Sequence, residues 1–324
     1  MFDVVALGEL LIDFTPAGTS QAGNILFERN PGGAPANVLA AVTKLGGTGA
    51  LIGKVGSDQF GFFLRDVLEK HGIDGRGLRF SRDINTTLAF VQLNGHGDRS
   101  FSFYRKPGAD TTLAPEDLDF GLIDSAKIFH FGSLSMTDEP ARSATKAALE
   151  YARKKGKVIT YDPNWRPALW ESDEQAKENM LFGMQYADVL KISEEELEFL
   201  TGTGDVDAGS RQFLDRGIKI VVVTLGPKGC YYRCAKGSGS LSTYDTKVVD
   251  TTGSGDCFFG AMLRQLSRYE SALEAITPEK LEKMANFANA AGALCATKKG
   301  ALSAMPAEEE VRQCMSSTPL LKLA

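Results

Sequence analysis

Apolar runs of strand length alternate with longer segments of helical periodicity along most of this chain. The apolar runs predict buried strands at 4–7, 50–55, 126–131, 158–161, 188–192 and 218–224. Helical spacing of apolar residues predicts helices at 37–45, 58–71, 140–155, 174–186, 279–297 and 308–315, with short helices before 216 and a frayed end from 316 to 324. This alternation predicts an α/β protein whose parallel sheet is covered on both faces.

One segment departs from the alternation and predicts a β-hairpin over 87–104. Because side chains alternate along a strand, Phe101, Phe103 and Arg105 share one face of its second half. An aromatic ring and a guanidinium on one face suit the wall of a binding site, although a half-buried strand beside a surface arginine has the same pattern. His96, at the tip, is interpreted as a solvated turn residue.

Composition narrows the class of protein. The chain has 324 residues, 43% of them apolar, which is enough for one large core with an excursion from it. The 36 Lys and Arg residues against 41 Asp and Glu residues give a net charge of −5, without a long basic run. Nucleic acid and anionic membranes are therefore not expected partners.

The cysteines and the N-terminal residues provide information on the cellular compartment of the protein. The five cysteines are widely spread and lack the paired spacing of a zinc site, so we expect reduced thiols. The first residues carry Asp3 and no basic region, which predicts a first strand rather than a signal peptide. The longest β-branched run, 218–225, is too short to span a bilayer. We expect a soluble, cytoplasmic protein.

The stretch 246–263 combines an extended segment, a glycine-rich turn and an apolar helix. The main-chain N–H groups of residues 253–256 are expected at the N-terminus of that helix, where unpaired donors and the helix dipole favour an anion such as phosphate. We call residues 253–256 the anion seat. Asp256 either complements the helix dipole or acts as a general base for a hydroxyl that attacks a bound phosphoryl group.

Other polar groups also follow predicted strands. They are Asp13 and the segments 162–166, 193–196 and 224–229. Because sites in such folds lie at the carboxyl ends of strands, one crevice is expected to hold these groups together with Asp256.

Two segments, GGAPANVLAAVTKLGG at 32–47 and DTTGSGDCFFGAML at 250–263, carry a resemblance to the ribokinase/PfkB family of ATP-dependent sugar kinases. The resemblance extends over nearly the whole chain and is strongest to fructokinases at 8–16, 103–110, 161–170 and 187–202. It implies a ribokinase-like three-layer sandwich with a central, mostly parallel sheet and a small β lid. It also favours the general-base role for Asp256.

The resemblance implies roles for individual residues. The catalytic group would comprise Asp256 as base, with the anion hole formed by Gly253, Ser254 and Gly255. Sugar contacts would come from Asp13, Gly33, Asn37, Phe103, Arg105 and Arg166. Nucleotide contacts would come from Ser193, Thr224, Gly226, Gly229 and Asn289, although 224–229 could also be an ordinary hairpin turn.

Two metal sites are implied as well. Segment 193–196 stands where the family has Asn-x-x-Glu; Ser193 replaces the asparagine, so Glu196 is expected to act on Mg²⁺ through water. The alternative is a solvated acidic helix start. Asp250 and the carbonyl of Thr252 match ligands of a monovalent cation, potassium, with a partly similar segment at 298–300.

The expected architecture is a single kinase domain over 1–324 with a lid formed by about 14–31 and 85–105. The lid would close over the sugar, exclude water and pair with the lid of a second subunit to form a homodimer.

Three functions fit the sequence. The first is a fructokinase that transfers the γ-phosphoryl group of ATP to the 6-hydroxyl of fructose. The second is another sugar kinase of the family, above all a 2-keto-3-deoxygluconate kinase, whose acidic substrate would explain Arg105 and Arg166. The third is a non-catalytic sugar-binding relative. A Rossmann dehydrogenase is disfavoured because GELLID at 8–13 lacks G-x-G-x-x-G.

Overall fold

The computed structural model describes residues 1–93 and 99–322, with backbone alone at 92, 93 and 99–101. Within these ranges the strands are β1 Phe2–Leu7, β2 Leu11–Thr19, β3 Ile25–Gly32, β4 Gly49–Gly56, β5 Ile73–Ser81, β6 Leu88–Leu93, β7 Arg99–Tyr104, β8 Ala126–Gly132, β9 Val158–Asp162, β10 Val189–Ser193, β11 Ile220–Thr224, β12 Cys230–Cys234 and β13 Gly237–Leu241.

Ten α-helices lie in the same described ranges. They are α1 Ala34–Lys44, α2 Gln59–Lys70, α3 Phe120–Asp124, α4 Ala141–Lys154, α5 Asp173–Met184, α6 Glu194–Thr201, α7 Val206–Asp215, α8 Ser254–Ser267, α9 Pro278–Cys295 and α10 Glu308–Ser317. Polar side chains fix several starts: Asp58 accepts a hydrogen bond from the N–H of Gly61 at α2, and Ser172 accepts one from Gln175 at α5. The predicted helices are confirmed to within a few residues at their ends.

The larger sheet has nine strands in the order β13-β12-β11-β10-β9-β8-β1-β4-β5. Every pair from β11 through β5 is parallel, and β12 and β13 extend the β11 edge in antiparallel orientation. One apolar core packs α1, α8 and α9 on one face, and a second packs α4, α5 and α7 on the other. The predicted α/β three-layer fold with a mostly parallel sheet is therefore confirmed.

A second, four-stranded sheet has the order β3-β2-β6-β7. One of its faces is aromatic: Phe14 stacks on Phe90 at 4.8 Å between ring centroids, and Phe60 of α2 meets Phe14 edge-on. Asp13, next to Phe14 in β2, points to the opposite face by strand alternation. The two strands of the predicted hairpin are confirmed as β6 and β7, whereas the tip at 94–98, with His96, lies outside the described residues.

Some expectations of regular structure were wrong. The predicted strands did not include β2, β3, β5, β12 or β13. Of these, β3 is largely exposed, and β5 and β13 each contain two glycines. Val248 and Val249 do not end a strand: both are exposed, and the N–H of Val249 bonds to the carbonyl of Ala296.

The C-terminal segment does not fray from residue 316. Ser316 and Ser317 continue α10, and Leu320 forms a β-bridge with Tyr244.

The five cysteines are buried as free thiols. Among the helices described, none has the length and apolar character needed to cross a membrane.

Candidate active site

A cavity of about 390 Å³ opens between the carboxyl ends of the large sheet and the inner face of the small sheet. This central cavity falls within the range of small-molecule sites, about 300–1,000 Å³. The predicted site residues that line it come from six separate stretches of chain: Asp13, Gly33, Asn37, Phe103, Arg166, Ser193, Glu196, Thr252, Gly253, Gly255 and Asp256. The expected crevice at the strand ends is thus present.

The remaining predicted residues lie elsewhere. Asp250 lines a neighbouring cavity of about 200 Å³, which shares Asp13 and Thr252 with the central cavity. Ser254 belongs to the first turn of α8, and its hydroxyl is buried without a hydrogen-bond partner in the described part of the chain. Neither the central cavity nor its neighbour is lined by Arg105, Thr224, Gly226, Gly229 or Asn289.

The anion seat forms as predicted at the N-terminus of α8. Gly253 precedes the helix with φ of 75°, a left-handed conformation that favours glycine, and a Cβ there would lie 2.7 Å from that of Ala301. Gly255 is inside the helix and does not need a positive φ. The N–H of Ser254 donates to the carbonyl of Thr251 at 3.1 Å, so the donors left for a ligand are those of Gly253, Gly255 and Asp256. These three residues line the cavity, where the N-terminus of the helix adds partial positive charge.

Asp256 lies in this first turn and is held by a residue from α1. Oδ2 of Asp256 accepts a hydrogen bond of 2.7 Å from the Nδ2 of Asn37, and both side chains are buried. Oδ1 of Asn37 has no partner among the described residues. The pair therefore fixes one carboxylate oxygen of Asp256 and keeps an amide acceptor for a hydroxyl group on a ligand.

Asp13 lines the cavity from β2, where Gly32 leaves room for its side chain and Gly33 leaves room for the main chain of Glu9. A Cβ on Gly32 would lie 2.2 Å from Oδ2 of Asp13, and one on Gly33 would lie 2.3 Å from the carbonyl oxygen of Glu9. Burial raises the pKa of Asp13 to about 6; the charge of Arg166 opposes this rise and that of Asp256 adds to it. At neutral pH Asp13 is thus a carboxylate that can accept hydrogen bonds from hydroxyl groups.

Arg105 does not line the central cavity but a separate one of about 270 Å³, which shares Phe103 with it, and its contact with a sugar stays a prediction. Its guanidinium is buried and donates 2.8 Å hydrogen bonds to Oδ2 of Asp110, to Oγ1 of Thr137 and to the carbonyl of Leu134. These partners hold β7 to the main body of the protein. Arg166, by contrast, lines the cavity with an exposed side chain.

Of the predicted nucleotide residues, Ser193 lines the cavity, and Thr224, Gly226 and Gly229 lie at the end of β11 and in the turn after it. Ser193 and Thr224 are neighbours in the register of β10 and β11. The turn that follows joins β11 to the antiparallel β12, so it is also a hairpin turn. Position 229 in this turn requires glycine, because its φ is 96° and a Cβ would lie 1.9 Å from the carbonyl oxygen of Leu241.

Asn289 lies on α9 near the end of β13. Its Nδ2 donates to the carbonyl of Ser242 at 3.4 Å, and its side chain is buried.

Glu196 and Ser193 form a capping box at the start of α6. Oε2 of Glu196 accepts from the N–H of Ser193, Oγ of Ser193 accepts from the N–H of Glu196, and Oε1 accepts from the N–H of Trp165. Glu196 is buried, so the alternative of a solvated acidic helix start does not describe it. Carboxylate oxygens retain further lone pairs beyond these bonds, which fits water-mediated contact with Mg²⁺. The described residues contain no cluster of three acidic, His or Cys ligands for direct coordination.

Asp250 connects the anion seat to the loop before residue 301. Oδ1 accepts hydrogen bonds from the N–H and the hydroxyl of Thr252 at 2.9 and 2.7 Å, and Oδ2 accepts from the N–H of Gly300 at 3.2 Å. The two segments implied by the family resemblance at a monovalent cation are therefore adjacent in the fold.

Two functional candidates were not singled out from the sequence. Lys191 lines the cavity from β10 and forms an ion pair of 2.8 Å with Asp162. A lysine inside the otherwise apolar run 189–192 was the available signal. Glu9 also lines the cavity, and its Oε1 accepts the N–H of Ala34 at the start of α1.

Glu9 provides a prediction for stability against pH. Burial is the main cause that raises its pKa from 4.5 to about 7, so the native state holds the Glu9 proton more tightly than the unfolded chain does. Its contribution to stability is complete at pH values below 4.5 and is lost as pH rises through 7. The Glu9→Gln variant removes this loss and keeps the acceptor for Ala34. We expect the unfolding free energy of the variant, relative to wild type, to be about 2 kcal/mol larger at pH 8 than at pH 5. Urea denaturation of the wild type and the variant at both pH values measures this change. If the two proteins differed by the same unfolding free energy at pH 5 and at pH 8, Glu9 would be ionised in the native state at both pH values.

The architecture and the cavity are those of a kinase for small sugars. The pattern of the pfkB family carbohydrate kinase matches residues 1–308. A "Probable fructokinase-2" from Arabidopsis thaliana is 46% identical over 310 residues, which cover 95% of this chain and 94% of that protein. The chain belongs to the pfkB family of carbohydrate kinases, and it is a sugar kinase.

Two solved structures have the same fold. A fructokinase from Xylella fastidiosa with bound ATP superposes with a TM-score of 0.90 at 34% identity, over 98% of this chain and 99% of that chain. A double mutant of the fructokinase from Vibrio cholerae, in a form that binds fructose, ADP and potassium ion, superposes with a TM-score of 0.86 at 34% identity, over 96% and 98% of the chains.

Proposed function

We propose that this sugar kinase is a fructokinase, which transfers the γ-phosphoryl group of ATP to the 6-hydroxyl of D-fructose and releases fructose 6-phosphate and ADP. The observation that carries the choice is the charge of the central cavity. Its carboxylates are Asp13, Glu195, Glu196 and Asp256, with Glu9 as a further acidic group whose pKa burial raises to about 7, whereas its cations are the exposed Arg166 and the ion-paired Lys191.

An acidic sugar fits this cavity poorly. The 2-keto-3-deoxygluconate alternative relies on two arginines, but Asp110 already neutralises Arg105 outside the cavity. A carboxylate on the substrate would then face several acidic groups with Arg166 as its partner. A neutral ketose needs hydroxyl acceptors instead, which Asp13 and Asn37 provide.

In the proposed mechanism Asp256 takes the proton of the 6-hydroxyl as its oxygen attacks the γ-phosphorus. The bond from phosphorus to the bridging oxygen of ADP breaks, and the anion seat stabilises the charge on the transferred group. Asn37 orients the Asp256 carboxylate through the 2.7 Å hydrogen bond. Asp13 and Gly33 hold the sugar, and the surface of Thr224, Gly226, Gly229 and Asn289 holds the nucleotide.

Mg²⁺ and potassium complete the proposed site. Ser193 and Glu196 would hold Mg²⁺ through its water ligands, and that ion would neutralise charge on the phosphate oxygens. Asp250 and Thr252 would hold potassium. Activity with and without each ion, at constant ionic strength, measures these requirements.

We propose that β2, β3, β6 and β7 form a lid and that lids of two chains pair. Ile25, Phe27 and Tyr104 on this sheet are 64%, 41% and 67% exposed, an apolar surface that a partner would cover. Sedimentation equilibrium measures the mass, and a single-chain mass at micromolar concentration contradicts the dimer.

The buried free thiols are consistent with our proposal of a cytoplasmic enzyme.

The substrate is tested by comparing kcat/KM for fructose, 2-keto-3-deoxygluconate, ribose and fructose 6-phosphate at saturating ATP. We expect fructose to be preferred, because the other three carry an acidic group or lack the hexose framework. A preference of more than about tenfold for the keto acid, equivalent to about 1.4 kcal/mol of transition-state discrimination, would overturn fructose while leaving the kinase assignment in place. Sugar binding without turnover of any of the four would favour the non-catalytic relative.

A further inference from the structure

Lys191 lies beside the anion seat. It extends from β10, and a Cβ atom placed on Gly255 would lie 3.3 Å from the Nζ of Lys191 and 3.8 Å from its Cε. The ammonium group is therefore next to the first turn of α8 and lines the central cavity together with Gly253 and Asp256. The lysine is 6% exposed, so water screens its charge weakly.

The ammonium group is anchored from the neighbouring strand. Oδ2 of Asp162, at the end of β9, lies 2.8 Å from Nζ, and Asp162 is fully buried. The contact places the carboxylate of Asp162 directly against the ammonium, and an opposite charge at this distance favours the charged form of a buried lysine. Lys191 is thus a buried cation at neutral pH.

Lys191 adds a second source of positive charge beside the N-terminus of α8. The N-terminus of α8 carries partial positive charge, so it repels a cation beside its first turn. A buried ion pair contributes little net stability, because the cost of desolvating two charges offsets their attraction. The observed direction of the Lys191 side chain brings its charge to the first turn of α8, next to Gly255.

We propose that Lys191 is a catalytic residue that completes the anion seat by donating a hydrogen bond to the phosphoryl group during transfer. Asp162 is then its positioning residue. The inference rests on the proposed transfer of phosphate at the anion seat. A charged donor in a site shielded from water stabilises negative charge as it moves from the ADP oxygen to the acceptor. We expect Lys191 and Asp162 to act mainly in the transition state, since the proposed nucleotide contacts around Thr224 and Gly229 supply ground-state binding.

Three variants test the proposal by their kcat and KM values. Lys191→Met keeps the length of the side chain and removes the charge, and we expect kcat to fall by about 10²-fold with both KM values within about threefold. Lys191→Arg is expected to recover part of this loss. Asp162→Asn leaves the ammonium in place without its anchor, and we expect a loss of about tenfold in kcat.

A transition-state mimic separates catalysis from structure. The affinity for ADP with aluminium fluoride and fructose should fall in Lys191→Met about as much as kcat does, whereas the affinity for ADP with fructose alone should not. A merely structural lysine would change both affinities or neither.

Two controls keep the test decisive. Lys219→Met makes the same chemical change at a lysine that pairs with Asp188 and Glu274, before β11 at the opposite end of the sheet, and kcat should stay at the wild-type value. If Lys191→Met unfolds because it leaves Asp162 unpaired, the double variant Lys191→Met with Asp162→Asn removes both charges.

A folded single or double variant with kcat within about threefold of wild type would overturn the role of Lys191. If instead an Asp256→Asn variant keeps full activity, the proposed site of phosphoryl transfer is wrong. This outcome is distinguishable from a failure of the role of Lys191 alone.

Discussion

Replacing Asp256 by asparagine is expected to lower kcat by about 10²–10⁴-fold, the usual contribution of general-base catalysis. Asparagine is nearly isosteric, so α8 and the donors of the anion seat stay in place. The amide oxygen of the new side chain can still accept the hydrogen bond from Asn37, which spans 2.7 Å in the native protein. What is lost is the capacity to take a proton from the sugar hydroxyl.

Sugar affinity supplies the control for this variant. Calorimetric titration with fructose should give a dissociation constant within about threefold of wild type, because Asp13 and Gly33 are unchanged. Near-wild-type kcat, in conditions where a burst experiment shows that chemistry limits the rate, would remove Asp256 from the base role.

The anion seat was predictable because its determinants are local. Gly253, Gly255 and Asp256 occupy one turn of the chain, so turn chemistry and helix propensity decide their geometry without help from distant residues. Their neighbours in the site are not local. Asn37 reaches Asp256 across 219 residues of sequence, and only the family resemblance placed the two together.

Arg105 shows that strand alternation assigns a side chain to a face without identifying the group that it contacts. Strand alternation correctly separated Arg105 from Tyr104, but it could not tell whether the guanidinium meets a ligand or a protein carboxylate. Asp110 lies five residues further along the chain and satisfies Arg105 within the protein. A buried arginine requires such a partner, and the partner depends on how the chain turns after β7.

Lys191 was missed for a related reason. A lysine in an apolar strand indicates a buried charge, yet its meaning depends on the neighbouring strand and on the helix above it. Asp162 is 29 residues away, and the pairing of β9 with β10 sets their contact. Sheet order and register arise from the packing of the whole domain, which local periodicity does not encode.

The Gly255→Val variant is expected to lower kcat by about 10²–10³-fold while the affinity for ATP changes by less than about threefold. The reason is steric. The first added carbon would lie 3.3 Å from the ammonium of Lys191, and the two methyl groups of valine add bulk beyond it. A β-branched side chain in a helix has one strongly preferred rotamer, so it cannot turn away. The nucleotide would still bind at Thr224 and Gly229, outside the altered turn.

Gly255→Ala is the matched control, because it adds the first carbon alone and the flexible end of Lys191 can yield by a few tenths of an ångström. We expect a loss of about tenfold in kcat for alanine, between wild type and valine. Steady-state rates and calorimetric titration with a non-hydrolysable ATP analogue measure the two quantities separately. If valine weakened nucleotide binding as much as it lowered kcat, the turn at residue 255 would hold the nucleotide in its ground state, and the separation between the anion seat and the nucleotide surface would be wrong.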